Sequence, residues 1–151
     1  MVTLDVLKDK LASNARLIGL DLGTKRVGIA ICDDKRKIAS PYKTIEYKNM
    51  EYLVNELKNI IKENNIFAVI IGNPINMDGS FGKSAQSIND KAKVIEKELN
   101  LIIAMWDERL STSGAFNISS NLDINFSKKK KNIDEKAAAF ILQGALDYLN
   151  N

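Results

Sequence analysis

An α/β layer built on a partly parallel sheet is the architecture that this sequence predicts, and three observations carry it. Short, continuous apolar runs bounded by turn residues recur along the chain, as expected of buried strands. Between the later runs the apolar spacing switches to three and four residues, the period of a helix packed on one face. The order of these segments is a strand meander followed by helix, strand, helix, strand and a last helix. That order suits a mixed five-stranded sheet, three antiparallel strands plus two parallel ones, flanked by helices.

The elements follow in chain order. Leu4, Leu7 and Leu11 mark a short helix within residues 1–15, an N-terminal extension ahead of a single domain over 16–151. Leu17 to Leu22 and Val27 to Cys32 read as two strands joined by the turn Gly23-Thr24-Lys25-Arg26. A third strand is expected from Lys37 to Ile45, broken near Pro41. Met50, Leu53, Val54, Leu57, Ile60 and Ile61 form a helical stripe. Ile66 to Ile71 is apolar throughout, the pattern of a strand covered on both faces. Ala85, Ile88, Ala92, Ile95 and Leu99 form a second stripe, and Leu101 to Trp106 another buried strand. The last helix is expected to start at Asn132 as N-cap, with Glu135 completing a capping box. Its buried stripe is Ile133, Ala137, Phe140, Ile141, Ala145 and Tyr148.

Composition limits the chemistry. With 45% hydrophobic and 27% charged residues, the 151-residue chain is an ordinary globular protein, large enough to bury a core. No apolar stretch is long enough to span a bilayer, and Asp5 and Asp9 make the N-terminus a poor signal peptide. A single cysteine, Cys32, excludes a disulfide framework and a cysteine-based zinc cluster, so a reducing cytoplasm is the expected setting. The absence of histidine removes serine and cysteine triads, imidazole acid–base chemistry and histidine-ligated zinc. What remains is Asp, Glu, Lys, Arg, hydroxyls, or a hard metal held by oxygen. The net charge of +3 is too small to identify a nucleic-acid partner by itself, so the placement of the cations matters more.

Three apolar runs end abruptly in polar residues: "LDLGTKR", "IIGNPINMDGS" and "MWDERLSTS". Sites gather at the carboxyl ends of parallel strands, so parallel alignment would bring Asp21, Asn73 and the Asp107/Glu108 pair to one edge. Each residue also has a plain structural reading. Asp21 is a candidate turn cap or ion-pair partner for Lys25. Asp134, in the first turn expected of the last helix, would favour the helix dipole by about 0.3–1 kcal/mol. Glu108 and Arg109 read equally as a surface ion pair. Lys128 to Lys131 read as a solvated cluster, with Lys130 and Lys131 as candidate phosphate contacts. Trp106 reads as core or pocket wall. As a phosphate loop, "DLGTKRVG" fits neither standard glycine spacing.

The combination gives those acids a shared role. Mg²⁺ and Mn²⁺ take oxygen ligands, often carboxylates with water and substrate phosphate, and can drive phosphodiester hydrolysis without histidine. "IGLDLGTKRVGIAICD", "GNPINMDGS", "WDERLST" and "KKKNIDEKAAAFILQGALDYL", in this order, resemble the YqgF family of pre-16S rRNA nucleases and Holliday junction resolvase-like proteins. The match runs from about Arg16 to Leu149. The resemblance implies an RNase H-like fold and a site of Asp21, Glu108 and Asp134, holding Mg²⁺ or Mn²⁺. It implies nucleic-acid contacts from Lys25, Arg26 and Arg109 and a nearby loop bearing Asn73, Asn76 and Asp78. The activity implied is endonucleolytic maturation of the 5′ end of precursor small-subunit rRNA. Branched DNA is the alternative substrate, and a non-catalytic RNA-binding assembly or transcription factor is a further reading. No membrane partner is expected, and homodimer formation is left open. A nucleotide-dependent actin-like protein is disfavoured because the chain is too short for a duplicated body.

Overall fold

The computed structural model describes residues 1–73, 83–107 and 126–151, with side chains placed in the last two segments for 86–107 and 134–151. Asn76, Asp78, Glu108 and Arg109 therefore lie outside the described residues, and Lys130 and Lys131 are described by their backbone alone. The elements are α1 (Leu4–Lys10), β1 (Arg16–Leu22), β2 (Arg26–Cys32), β3 (Ala39–Glu46), α2 (Met50–Asn64), β4 (Ile66–Asn73), α3 (Lys83–Leu99), β5 (Ile102–Asp107) and α4 (Phe126–Leu149).

The strands form one sheet in the order β3-β2-β1-β4-β5. β1, β2 and β3 pair antiparallel, and β4 and β5 continue from β1 in parallel. This is the predicted mixed sheet, and its order is set by chain logic. Tight turns join antiparallel neighbours, whereas parallel neighbours need a crossover, here α2 and α3. Alternation along each strand splits the apolar residues between two cores. Ile18, Leu20, Val27, Ile29, Val69, Ile71 and Ile103 pack beneath α2 and α3. Leu17, Ala30, Ala68, Ile70, Ala104 and Trp106 pack against α1 and α4.

Two glycines set how closely α4 lies on the sheet. A Cβ at Gly19 would stand 2.7 Å from the Leu142 Cβ and 3.0 Å from the Ala138 carbonyl oxygen. A Cβ at Gly28 would stand 1.8 Å from the Asp134 carbonyl oxygen. Glycine inside a strand commonly marks such a backbone approach. Here it seats the helix directly over β1 and β2.

Local expectations change in two places. The last helix begins at Phe126 rather than just after Asn132, because the lysine run ahead of Asn132 is made of good helix formers with no glycine or proline to stop them. Asn132 is consequently an interior residue, and Asp134 lies beyond the first turn, out of reach of the dipole role. The buried stripe also differs. Ala138, Ile141, Leu142, Ala145, Leu146 and Leu149 are buried, whereas Tyr148 is 42% exposed. Small residues face the sheet where the glycines admit the helix, and the bulky Tyr148 stands at its margin. The third strand, Ala39–Glu46, starts later than expected and carries a register irregularity opposite Ile29 and Ala30, beside Pro41.

The N-terminal segment is joined to this body. Leu4 and Leu7 are buried in the α4-side core, and Val2 bridges Ala104 in parallel along the outer edge of β5. The Thr3 hydroxyl caps α1 by accepting from the Val6 N–H. Among the described residues, no helix is long and apolar enough to cross a membrane.

Candidate active site

Asp21 is the penultimate residue of β1, and its cross-strand partner in β2 is Gly28. The backbone of Asp134 rests on Gly28, so the missing side chain at one position brings together two carboxylates far apart in sequence. Leu20 and Leu22 belong to the opposite core, which leaves Asp21 on the α4 face. Burial raises the Asp21 carboxyl from 3.8 to about 6, and the nearby Asp134 charge adds to the rise. Both causes disfavour the ionised form.

Arg26, first residue of β2, shares the Gly28 side of that strand. Its Nε donates to Asp134 Oδ2 at 2.8 Å, in an ion pair whose acid is 22% exposed and whose base is 51% exposed. Arg26 is thus a partner of one site carboxylate, where the sequence suggested a cation free to meet phosphate. Thr44, which pairs with Gly28 from β3, donates its hydroxyl to Glu135 Oε1 at 3.2 Å. Glu135 therefore ties α4 to the sheet rather than completing a capping box.

The other expected residues are distributed as follows. Lys25 is exposed in the β1–β2 turn, and its carbonyl accepts from the Tyr47 N–H at 2.8 Å. Asn73 ends β4 opposite Asp107 of β5. It is buried, and its Oδ1 has no hydrogen-bond partner among the described residues. Alternation from Ile71 places Asn73 on the α2–α3 face, so it shares the end of the sheet with Asp21 but not the face. Asp107 follows the same alternation from Met105, which packs on that core. Of the neighbouring acids Asp107 and Glu108, the described one thus belongs to the wrong face for Asp21. Glu108 lies outside the described residues. Trp106 is buried, its ring edge-on to Tyr148 at 6.1 Å, which bears out the reading as core or pocket wall. Sequence reasoning missed the Arg26–Asp134 pair. The glycine within "RVGIAIC" was its available signal, since it announces the close approach that delivers Asp134.

The site can offer hard oxygen donors from two carboxylates, with a guanidinium beside them. No cluster of three or more acidic, cysteine or histidine groups suited to a metal occurs among the described residues; the third acid named by the resemblance, Glu108, lies outside them. Asp21 and Asp134 nevertheless fit a divalent cation chemically, because the Asp134 charge adds to the cost of ionising the buried Asp21 and a cation held there would offset it.

A five-stranded sheet of this order, with acids on β1 and on the helix crossing it, is an RNase H-like layer of the kind found in nucleases that hydrolyse phosphodiester bonds. The chain belongs to the RuvX family, whose model, described as "Holliday junction resolvase", matches residues 15–148. A relative from Pelagibacter ubique (strain HTCC1062) named "Putative pre-16S rRNA nuclease" is 58% identical over 151 residues, covering all of both chains. One of the same name from Acidiphilium cryptum (strain JF-5) is 40% identical over 144 residues, covering 95% of this chain and 91% of its own. In three dimensions the chain is similar to RuvC of T. thermophilus, solved in complex with a Holliday junction substrate. The TM-score is 0.57 at 9% identity, over 86% of this chain and 91% of that one. The yeast mitochondrial Holliday junction resolvase Ydc2 gives 0.51 at 12% identity, over 97% and 84%. The RuvC and Ydc2 structures establish the fold, and the family establishes the enzyme class, a nuclease.

Proposed function

We propose that this chain is a Mg²⁺- or Mn²⁺-dependent endonuclease that trims the 5′ end of precursor small-subunit rRNA. Residues 16–151 form its nuclease domain, and residues 1–15 an extension packed on it. The observation that carries the reading is the pair Asp21 and Asp134, held together over Gly28 with Arg26 alongside. The names of the full-length relatives supply the substrate. Asp21, Asp134 and Glu108 would hold the metal, which supplies water activation and stabilisation of the leaving oxygen. Asp21 orients from a rigid strand, and Asp134 from a helix locked to it by Thr44 and Glu135. Arg26 neutralises Asp134 until the site is loaded and then turns its guanidinium to a substrate phosphate. Lys25, Arg109, Lys130 and Lys131 position the backbone through phosphates, which fixes register without reading sequence. Asn73, at the end of β4, and Asn76 would make further contacts to the substrate. The setting is the cytoplasm, where the precursor RNA is made.

The test is cleavage of a precursor rRNA 5′ fragment with Mg²⁺, with Mn²⁺ and with chelator. The expected outcome is metal-dependent cutting that Asp21→Asn lowers by at least about a hundredfold, the scale of losing a group that stabilises the transition state. Undiminished cutting by that variant would overturn the mechanism. The description of the matching family favours branched DNA as the second substrate. A four-way DNA junction run beside the RNA at equal salt decides between them, because salt alone shifts such affinities strongly.

A further inference from the structure

On the face of the sheet opposite Asp21, but at the same end, stand two of the four tyrosines of the chain. Tyr47 follows β3 directly, and its N–H donates to the Lys25 carbonyl, which fastens it to the β1–β2 turn. Tyr52 lies in the first turn of α2, where the Asn49 side chain accepts from its N–H at 2.8 Å. Both rings are half-buried against the core beneath α2 and α3. Each carries a cation on its face: Lys91 Nζ stands 4.3 Å from the Tyr47 ring centre, and Lys48 Nζ 4.8 Å from that of Tyr52.

These lysines differ from the other cations near the site. Arg26 is paired with Asp134, and Lys43 with Glu56 at 3.7 Å. Among the described residues, no ion pair involves Lys25, Lys48 or Lys91. The acids adjacent in sequence, Glu46, Glu51 and Asp90, are all exposed. Among the described residues, these three ammonium groups thus have no carboxylate in ion-pair contact, and two of them stand over aromatic faces.

We propose that Lys25, Lys48 and Lys91, with Tyr47 and Tyr52, form a track for a single-stranded RNA segment that continues over the end of the sheet to Asp21. The chemistry selects this ligand. A base stacks favourably on an aromatic ring whatever its identity, but only an unpaired base can reach one. An arriving base takes the ring face that the ammonium covers, and the ammonium passes to the adjoining phosphate. The cation–π contact it leaves is weak near solvent and returns less than a stacked base. The β1–β2 turn joins the two faces, with Lys25 on the track and Arg26 on the catalytic side. The inference deepens the RNA-nuclease reading and rests on it.

The experiment follows fluorescence anisotropy of a labelled single-stranded RNA of about 12 nucleotides, long enough for one such site, with the full chain in chelator so that nothing is cut. The double variant Lys48→Gln/Lys91→Gln is expected to bind roughly five- to tenfold more weakly. Its plot of log affinity against log salt should be shallower by about 1.4, two contacts at about 0.7 each for a single strand. Lys48→Arg/Lys91→Arg, which keeps both charges, should bind within about twofold of the parent, showing that the loss is one of charge and not of folding. Asp21→Asn should bind the strand like the parent while failing to cut precursor RNA in Mg²⁺. An affinity and salt slope unchanged in the Gln variant would overturn the track and leave the nuclease reading standing. A parent chain that cuts precursor RNA but does not bind the single strand overturns the track alone. A parent that neither binds nor cuts overturns both.

Discussion

Asp21 shows how one side chain records the site around it. Its carboxyl is raised to about 6 because it is buried and faces Asp134. The folded state therefore holds its proton more tightly than the unfolded chain, whose value stays near 3.8. Below about pH 3 both states are protonated and the penalty vanishes. It grows between about 3 and 6 as the unfolded chain ionises first, and it is fully present above about 6. A shift of this size corresponds to roughly 3 kcal/mol of destabilisation. Asp21→Asn is expected to stabilise the metal-free protein by up to about 3 kcal/mol at pH 8 and by only about 0.5 kcal/mol at pH 4. Urea unfolding in chelator at both pH values measures it. A gap that does not change with pH would mean that Asp21 ionises freely in the folded chain. Losing activity while gaining stability is the expected signature of a group kept for chemistry.

At the scale of elements, the decisive contact is α4 on β2. Gly28→Ala would put a methyl carbon 1.8 Å from the Asp134 carbonyl oxygen, a position that backbone cannot vacate without moving the helix. The expected cost is about 3 kcal/mol or more, at the upper end for overpacking, together with loss of cleavage, because Asp134 moves with the helix. Thermal melting and the cleavage assay read the two effects, and an Ala variant with parental activity would show that α4 does not set the site. The order of strands and helices was legible in the sequence, because buried strands and one-faced helices write different periods. The start of α4 was not. Asn132 and Glu135 make a plausible cap, but "SKKKK" before them propagates helix as readily as it forms a solvated loop. Asp21 stood out as an acid closing an apolar run. Its pairing with Asp134 needed a tertiary approach, announced locally only by Gly28. Arg26 could not be assigned from its position, since a turn cation next to an acid serves a phosphate or a carboxylate equally well. The face of Asn73 depended on which residue of β4 starts the alternation, and a single-residue change reverses it.

Across the whole molecule, the candidate site and the N-terminal anchoring occupy opposite ends. Asp134 and Tyr148 are fourteen residues apart on α4, about 21 Å along the axis. At the Tyr148 end, the tyrosine hydroxyl donates to Asp5 at 2.9 Å, and Lys8 donates to the Asn151 carbonyl at 2.8 Å. The N-terminus reaches Glu96, and Val2 donates its N–H to the Ile103 carbonyl at 2.9 Å, covering part of the β5 edge. An uncovered strand edge invites pairing with other chains, and the segment ahead of the family match covers part of this one. Leu7 is its fully buried anchor. Leu7→Ala is expected to lower stability by about 2–4 kcal/mol, the range for truncating a buried leucine. Loosening α1 should also raise the tendency to aggregate through β5. The candidate site at the other end of α4 is seated by Gly19, Gly28 and Thr44, which lie against Leu142, Asp134 and Glu135 of α4. Cleavage per folded molecule well below the melting temperature should therefore match the parent. Chemical denaturation, light scattering and the cleavage rate measured together test this separation. A rate that fell while stability held would place α1 in the catalytic pathway and overturn it.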